Sequence, residues 1–237
     1  MKNMKTKKMK IAAMALLLAG IFYSCEDYVS QSECNCKDEL FYYNYKGEKQ
    51  FLSDSFLNDQ LCVTFDPQVE DKKIVDYLNQ TGFFKKVDAS KIIYTHWYGP
   101  ESHSERGETC VFVTTKTKKN CSRLKEIIRT LEKASIVKSA DLVFTCDSKC
   151  MISFTSYIYV SLKDKDDMHD LYAVMEETNT WINERIDPVF PGCVYVEVNK
   201  NPKGNALQMA NYFYETGKFA SAEPYFVVLS DKKKFYE

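Results

Sequence analysis

Three histidines, nine cysteines and several acidic pairs are the residues of this chain that could do chemistry. A hydrolase of the Ser-His-Asp kind needs a base beside a nucleophile and an acid that orients the base. His96 and His103 flank a predicted hairpin, and His169 lies on the polar side of a predicted helix start. These settings are typical of solvated surface histidines. Pairs such as Glu176-Glu177 are typical of solvated helix faces, so the sequence predicts no catalytic residue and no enzyme.

Glycine-dependent motifs are also missing from the sequence. Eight glycines in 237 residues leave little material for a phosphate-binding loop. The Gly-x-Ser-x-Gly turn that exposes a nucleophilic serine does not occur either. The 16 tyrosines and 15 phenylalanines could stack on sugars, but most lie at strand-alternating or helix-face positions, where core packing is the simpler explanation.

The N-terminus has the pattern of an export signal. Five lysines lie within the first ten residues, and residues 11–22 form a nearly unbroken apolar run that is too short to span a membrane. Ser24 then precedes Cys25, which resembles a bacterial lipobox with Cys25 as the lipidated first residue. Glu26-Asp27 resembles the acidic signal of surface-exposed lipoproteins. We predict a signal peptide over residues 1–24; an ordinary signal peptide with an incidental cysteine is the alternative.

The remaining cysteines favour disulfides over metal binding. An even count in an exported protein permits disulfides, and only Cys146 and Cys150 have a spacing that by itself makes a bridge plausible. Cys34 and Cys36 are too close to join without strain. The histidines complete no finger-like ligand set, so neither a metal nor a cofactor is predicted. The eight cysteines besides Cys25 are Cys34, Cys36, Cys62, Cys110, Cys121, Cys146, Cys150 and Cys193.

The charge of the mature chain excludes several partners. Removal of the signal takes five of the 32 basic residues and leaves 33 acidic ones, a formal charge of about −6. No basic stripe remains for nucleic acid or for anionic lipid. The remaining length allows one large domain or two small ones, and the hydrophobic fraction of 45% is enough for a packed core.

The apolar pattern predicts the order β-α-β-β-α-β twice. The first set comprises strands at 61–65, 92–98, 109–115 and 141–145, with helices at about 67–81 and around 124–131. The second comprises strands at 157–162, 193–198 and 225–229, with helices starting at Asp166 and Asn205. The segment 180–186 fits either a strand or a continuation of the preceding helix.

This order predicts an α+β fold of two tandem ferredoxin-like units, with antiparallel sheets that each carry two helices on one face. The predicted organisation is a lipidated tether with an aromatic lead-in at 25–49, units at 50–148 and 155–230, and a tail at 231–237. Residues 146–154 are the predicted linker between the units. A single sheet-and-helix domain without duplication is the alternative.

The last helix and strand carry a family resemblance. Asn205 can cap a helix, Gly217 lies where a helix stops, and Phe219-Ala-Ser-Ala-Glu-Pro224 leads into the strand Tyr225-Phe-Val-Val-Leu229. This pattern resembles the end of the propeptide of secreted subtilisin-like serine proteases, most closely the fervidolysin-like prodomain of Bacteroides-type lipoproteins. The cluster Phe41-Tyr-Tyr-Asn-Tyr45 with the following Lys46-Gly-Glu-Lys resembles the start of that prodomain.

In that family a catalytic domain follows at about this point, carrying the motifs Asp-Ser/Thr-Gly, His-Gly-Thr and Gly-Thr-Ser-Met-Ala. This sequence reaches Glu237 without any of them. The resemblance therefore implies a non-catalytic protein that inhibits a subtilisin-like protease in trans or assists its folding, displayed on the outer membrane at the cell surface. Alternatives are a surface interaction module on the same fold and a truncated remnant of a protease gene.

The resemblance also implies which residues would contact the protease. A prodomain packs its sheet on two surface helices of the enzyme and lays its tail in the substrate cleft as an added strand. Lys234 would face a pocket that usually prefers an apolar side chain if Glu237 were the last residue in the cleft. Glu223 and Pro224 would mark the start of the final strand. The implied tail is Ser230, Asp231, Lys232, Lys233, Lys234, Phe235, Tyr236 and Glu237.

Overall fold

In the residues that the structure describes, the fold is α+β, with four α-helices, an eight-stranded antiparallel sheet and a two-stranded hairpin. A computed structural model describes residues 41–52, 55–98, 104–147, 150–165, 167–182, 191–198, 200 and 203–230. The strands are β1 (Tyr42–Tyr45), β2 (Glu48–Phe51), β3 (Phe56–Phe65), β4 (Ile92–Tyr98), β5 (Ser104–Thr114), β6 (Val137–Asp147), β7 (Cys150–Leu162), β8 (Trp181–Ile182), β9 (Cys193–Glu197) and β10 (Phe219–Ser230). The helices are α1 (Asp71–Gln80), α2 (Cys121–Leu131), α3 (His169–Thr178) and α4 (Ala206–Glu215).

The sheet has two sets of strands, which we call the first half (β3 to β6 with α1 and α2) and the second half (β7 to β10 with α3 and α4). Hydrogen-bonded neighbours follow the order β4-β5-β3-β6 in the first half and β10-β7-β9-β8 in the second. The two sets form one continuous sheet, because β6 and β7 pair as a hairpin. Two separate sheets, as the sequence predicts, are therefore not observed.

Strand β7 joins the two halves because it pairs with β6 of the first half as well as with β9 and β10 of the second. Its thirteen residues pair with β10 along one edge. On the other edge, residues 150–152 pair with β6, whereas residues 157–161 pair with β9. The sheet therefore divides between β6 and β9, and the residues of β7 that lie between these two pairings face the division.

The helices form where apolar side chains recur at helical spacing and where asparagine caps the first turn. Residues Ile74 and Leu78 are buried on α1, and α2 buries four residues at similar spacing. Asn120 caps α2, whereas Asn205 and Gln208 form a reciprocal capping box at α4. At the end of α3, Asn179 adopts a left-handed conformation with φ of 53°, and the chain continues into β8. Residues 181–182 are thus a strand, and residues 183–186 lie outside the described residues.

Apolar side chains cover both faces of the sheet. One cluster contains the buried residues of all four helices together with alternate strand residues such as Leu61, Val63 and Phe65; we call this side the helix face. On the opposite side, the far face, Cys62 and Phe112 belong to a second cluster, which extends from the first half to Val227 of β10. The far face of the second half carries a separate cluster of tyrosines.

The aromatic cluster at 41–45 belongs to a hairpin. β1 and β2 pair around Lys46 and Gly47, both with positive φ, the conformation that two-residue hairpin loops require. Tyr43 packs edge-on against Phe226 of β10 with ring centroids 5.0 Å apart. The hairpin therefore packs on the second half through its aromatic side chains.

Two other boundaries differ from the sequence prediction. The predicted linker at 146–154 is not a separate segment, since β6 continues to Asp147 and β7 begins at Cys150. The side chains from Met151 to Phe154 alternate between the two faces of the sheet, as they do in a continuous strand. The final strand begins at Phe219, so Glu223 and Pro224 lie inside it and not at its start. Proline is tolerated there because, in the described part of the chain, β10 pairs with β7 alone.

Candidate functional site

Three buried carboxyl groups lie where the two halves meet. Glu108, Asp141 and Glu197 have 1%, 2% and 5% of their surface exposed. Acidic side chains are rarely buried to this degree unless they are hydrogen-bonded or paired. Each of the three receives a hydrogen bond from a residue of the other half, so we call this region the junction.

Glu108 lies on β5 and is bound by Ser156 of β7. The backbone N–H of Ser156 donates to Glu108 Oε2 over 3.2 Å, and the Ser156 hydroxyl donates to Oε1. Burial raises the pKa of the Glu108 carboxyl to about 7, although both hydrogen bonds from Ser156 act in the opposite direction. Glu108 thus ties the first half to the residues of β7 that lie at the division of the sheet.

Glu197 lies at the end of β9 and is bound from both halves. Lys138 of β6 forms an ion pair with Oε1. Within the second half, Tyr157 Oη and Trp181 Nε1 each donate to Oε2 over 3.2 Å. A buried pair of this kind adds little net stability, but removal of one partner leaves a costly uncompensated charge. Glu197 therefore specifies how the second half is seated against β6.

Asp141 on β6 is only partly satisfied. Asn205, the residue that caps α4, donates from Nδ2 to Asp141 Oδ1 over 2.9 Å. Asp141 Oδ2 and the nearby Ser139 Oγ are buried, and neither atom has a partner in hydrogen-bond geometry among the described residues, although Ser139 is close enough to favour the ionised form of Asp141. Burial raises the pKa of Asp141 to about 8, and the charge of Glu132 acts in the same direction. Asp141 is consequently protonated in most molecules at pH 7.

A cavity of about 460 Å³ borders these groups. Its walls are residues 139–142 of β6, one side of α2, the first turn of α4, and Thr155 and Ser156 of β7. Lys125, Arg129 and Lys200 contribute positive charge to the lining, and Glu132 contributes negative charge. Phe41, Ile128 and Leu207 provide apolar surface. The volume is within the usual range of small-molecule sites, about 300–1,000 Å³.

The described residues around the cavity include charged and apolar groups but no set of metal ligands. Within the described ranges, no cluster of three histidine, cysteine or acidic residues is close enough to hold a metal ion. A protonated Asp141 can donate a hydrogen bond, and the Ser139 hydroxyl can donate or accept one. The cavity itself combines positively charged and apolar residues in its lining.

The residues that the sequence predicts as a protease-binding tail lie mostly outside the described residues. Ser230 is the exposed last residue of β10, and Asp231 to Glu237 are not described. The lipidation residue Cys25 is not described either. Cys150 is disulfide-bonded, but the side chain of Cys146 lies outside the described residues, so that pairing stays a prediction. Cys121 is also disulfide-bonded.

Sequence reasoning missed the junction residues. Glu108 directly precedes one predicted strand and Asp141 is the first residue of another, and an acid at such a position usually lies at a solvated strand end. The available signal is that Glu197 interrupts the apolar run from Val194 to Val198. Such an acid must either face solvent or have a buried partner, and the sequence does not indicate which.

The described helices have ten or eleven residues, and none is long and apolar enough to cross a membrane. No protein family model matches this chain, and no curated protein matches it. Among solved structures, it is similar to the small subunit of acetolactate synthase from Thermotoga maritima, with 11% identity and a TM-score of 0.28. That match covers 73% of this chain and 96% of the other. A likeness this low supports no conclusion about function.

Proposed function

We propose that this chain is a non-catalytic binding protein built from two tandem ferredoxin-like units, and that it binds a subtilisin-like protease as a free-standing prodomain. In each half the fourth strand lies beside the first, the first beside the third, and the third beside the second. Each half also places a helix after its first and third strands. This repeated order supports duplication of one β-α-β-β-α-β unit.

The observation that carries the protease proposal is the course of β10. This strand has twelve residues and remains paired with β7 up to Ser230. The chain is therefore extended up to Ser230, the last described residue. An extended segment can add to an exposed strand in a protease cleft through main-chain hydrogen bonds. In our proposal, Asp231 to Glu237 are that segment.

The far face of the second half is the surface that would rest on the protease. Tyr159 and Tyr225 are half-buried there and pack edge-on against Tyr195, with centroid distances of 5.3 and 5.8 Å. Tyrosine is enriched at protein interfaces because it combines a large apolar ring with a hydrogen-bonding hydroxyl. The four described helices pack on the opposite side of the sheet.

We further propose that Cys25 is lipidated and anchors the protein to the outer membrane at the cell surface. Placement outside the cell agrees with a protein partner that is itself secreted.

An inhibition assay tests the protease proposal. Residues 26–237 are titrated against several subtilisin-like proteases with a fluorogenic peptide substrate, beside a matched chain that ends at Ser230. We expect inhibition at micromolar protein or below, and a loss of about tenfold or more without residues 231–237, since each 1.4 kcal/mol of binding is tenfold.

Lys234→Leu provides the sharper control. If Lys234 faces an apolar pocket of the protease, the leucine variant inhibits more strongly than the wild type. Equal inhibition by the full and the shortened chain would contradict a role for the tail. Absence of inhibition by any variant would contradict the protease proposal as a whole.

A further inference from the structure

We propose that Cys62 of β3 and Cys110 of β5, which are free thiols in this structure, become joined by a disulfide bond when the exported chain is oxidised. The bond is a covalent modification inside the first half of the protein. The inference uses the export proposed above but not the protease proposal, because it involves neither the tail nor the tyrosine cluster.

The first argument is the placement of the two cysteines on paired strands. In the antiparallel pairing of β3 with β5, Cys62 is opposite Phe112 and Cys110 is opposite Thr64. The two cysteines are therefore diagonal neighbours, and both belong to the far-face cluster that contains Phe112. A disulfide spans Cα separations up to about 7 Å, which a diagonal pair reaches where the twist of the strands brings its side chains together. The Cys62 and Cys110 thiols are close enough to hydrogen-bond, so this diagonal meets that condition.

The second argument is the oxidation state of the rest of the chain. Cys121 and Cys150 are disulfide-bonded in the structure. Disulfides form and persist where thiols are oxidised, and the same conditions act on every pair of thiols that meets during folding. Cys193, the other free thiol among the described residues, lies in the second half beside the Ser161 hydroxyl, 3.4 Å away. Cys62 and Cys110 are thus the described free thiols that share a cluster.

The third argument is that the cluster tolerates the loss of both S–H groups. Cys62 is 1% exposed and Cys110 is 0% exposed. The Cys110 sulfur lies 3.8 Å from the Thr64 hydroxyl, which is a weak interaction. A disulfide has no donor that needs a partner, so oxidation leaves no S–H group unsatisfied. The bond would then lie among apolar neighbours such as Phe112 and Val143.

The bond forms by two thiol–disulfide exchanges with a disulfide-bearing oxidant, either a small molecule or a protein. The Cys62 thiolate attacks one sulfur of the oxidant, and the other sulfur leaves as a thiolate. The Cys110 thiolate then attacks the Cys62 sulfur of this mixed disulfide, and the second oxidant sulfur leaves. The two cysteines are oxidised, and the oxidant is reduced to two thiols that take up the two protons released by the cysteines.

The order of events follows from burial. The hydrogen bond with Cys110 and burial both raise the pKa of the Cys62 thiol, which disfavours the thiolate in the folded protein. Both sulfurs are also out of reach of an oxidant there, since neither residue is more than 1% exposed. We therefore expect the bond to form while the chain folds and then to be shielded from reductants.

Peptide mapping tests the inference on residues 26–237 refolded in a glutathione redox buffer. The protein is unfolded with an alkylating agent and no reductant, and is then digested with trypsin. Cys62 and Cys110 fall in separate tryptic peptides, residues 50–72 and 107–116, and each peptide has no other cysteine. We expect the mass of these two peptides joined, less two hydrogens. Separate alkylated peptides, or a link from either peptide to a different cysteine, would overturn the inference.

Thermal unfolding gives a second measurement, with a variant that carries both Cys62→Ala and Cys110→Ala. Reduction opens the other disulfides in the wild type and in the variant alike, so the difference between the two proteins reports this bond. Reduction should lower the Tm of the wild type by about 10 °C more than that of the variant. Equal decreases would contradict the bond. If the variant does not fold, the peptide map alone decides.

Discussion

The two halves share one order of strands and helices but differ on the far face of the sheet. In the first half this face is apolar and sulfur-rich; Cys62, Cys110, Phe112 and Val143 are buried there, in a cluster that Val227 of β10 completes. In the second half it carries tyrosines, of which Tyr159 and Tyr225 are half-buried. The far face is therefore more completely buried around Cys62 and Phe112 than around Tyr159 and Tyr225. The same order of strands and helices thus supports two faces of different composition.

The largest expected difference between the halves is the loss of stability when an aromatic ring is removed from the far face. Phe112 is 5% exposed, so Phe112→Ala should lower the free energy of unfolding by about 4 kcal/mol through lost burial and a cavity. Tyr159→Ala, the matched change in the second half, should cost only about 1 kcal/mol because its ring is partly solvated. Urea denaturation monitored by circular dichroism measures both. Equal losses would contradict the distinction between the two faces.

At the junction, the free energy of unfolding should depend on pH because of Asp141. The pKa of Asp141 is raised to about 8 in the folded protein, against about 4 in an unfolded chain. Its stabilising contribution is complete below pH 4 and is lost as the pH rises through about 8. Over this window the free energy of unfolding should decrease by about 1.4 kcal/mol per pH unit on account of this residue.

Asp141→Asn is the matched control for that dependence. The variant should show a shallower decline between pH 5 and 8, with the remaining part due to Glu108, whose pKa is about 7. Urea denaturation at several pH values gives the difference. Parallel curves for wild type and variant would mean that Asp141 titrates normally and is not buried as described.

The smallest expected effect concerns the caps of the second helix in each half. Asn120→Ala should cost about 1 kcal/mol, since a single side-chain cap of α2 is lost. Asn205→Ala should cost about 2 kcal/mol, because it removes the capping box of α4 and leaves Asp141 without its donor. Thermal unfolding of the two variants measures the difference. A smaller loss for Asn205→Ala would contradict the role of Asn205 at the junction.

The sequence predicts elements well where a local pattern determines them. Strand β4 has the predicted bounds, 92–98, because apolar residues alternate between polar loops. Helix α1 follows from the spacing of Ile74 and Leu78. The start of β10 is missed because Phe219-Ala-Ser-Ala-Glu-Pro contains small residues and a proline, which are typical of a turn. Pairing with the long strand β7 overrides that local preference.

The candidate site could not be predicted, and the reason is physical. Burial of Glu108 depends on Ser156, 48 residues further along the chain, and Asp141 depends on Asn205, 64 residues away. Local sequence carries no information on such distant partners. The same holds for the division of the sheet, which arises because β7 exchanges β6 for β9 along one edge.

Amide hydrogen exchange of residues 26–237, with and without an inhibited subtilisin-like protease, tests the central claim most directly. Protection should appear in residues 231–237 and on the second half around Tyr159 and Tyr225, while the first half stays unchanged. Protection confined to the first half, or none in the tail at saturating protease, would contradict the proposal that this chain acts as a prodomain.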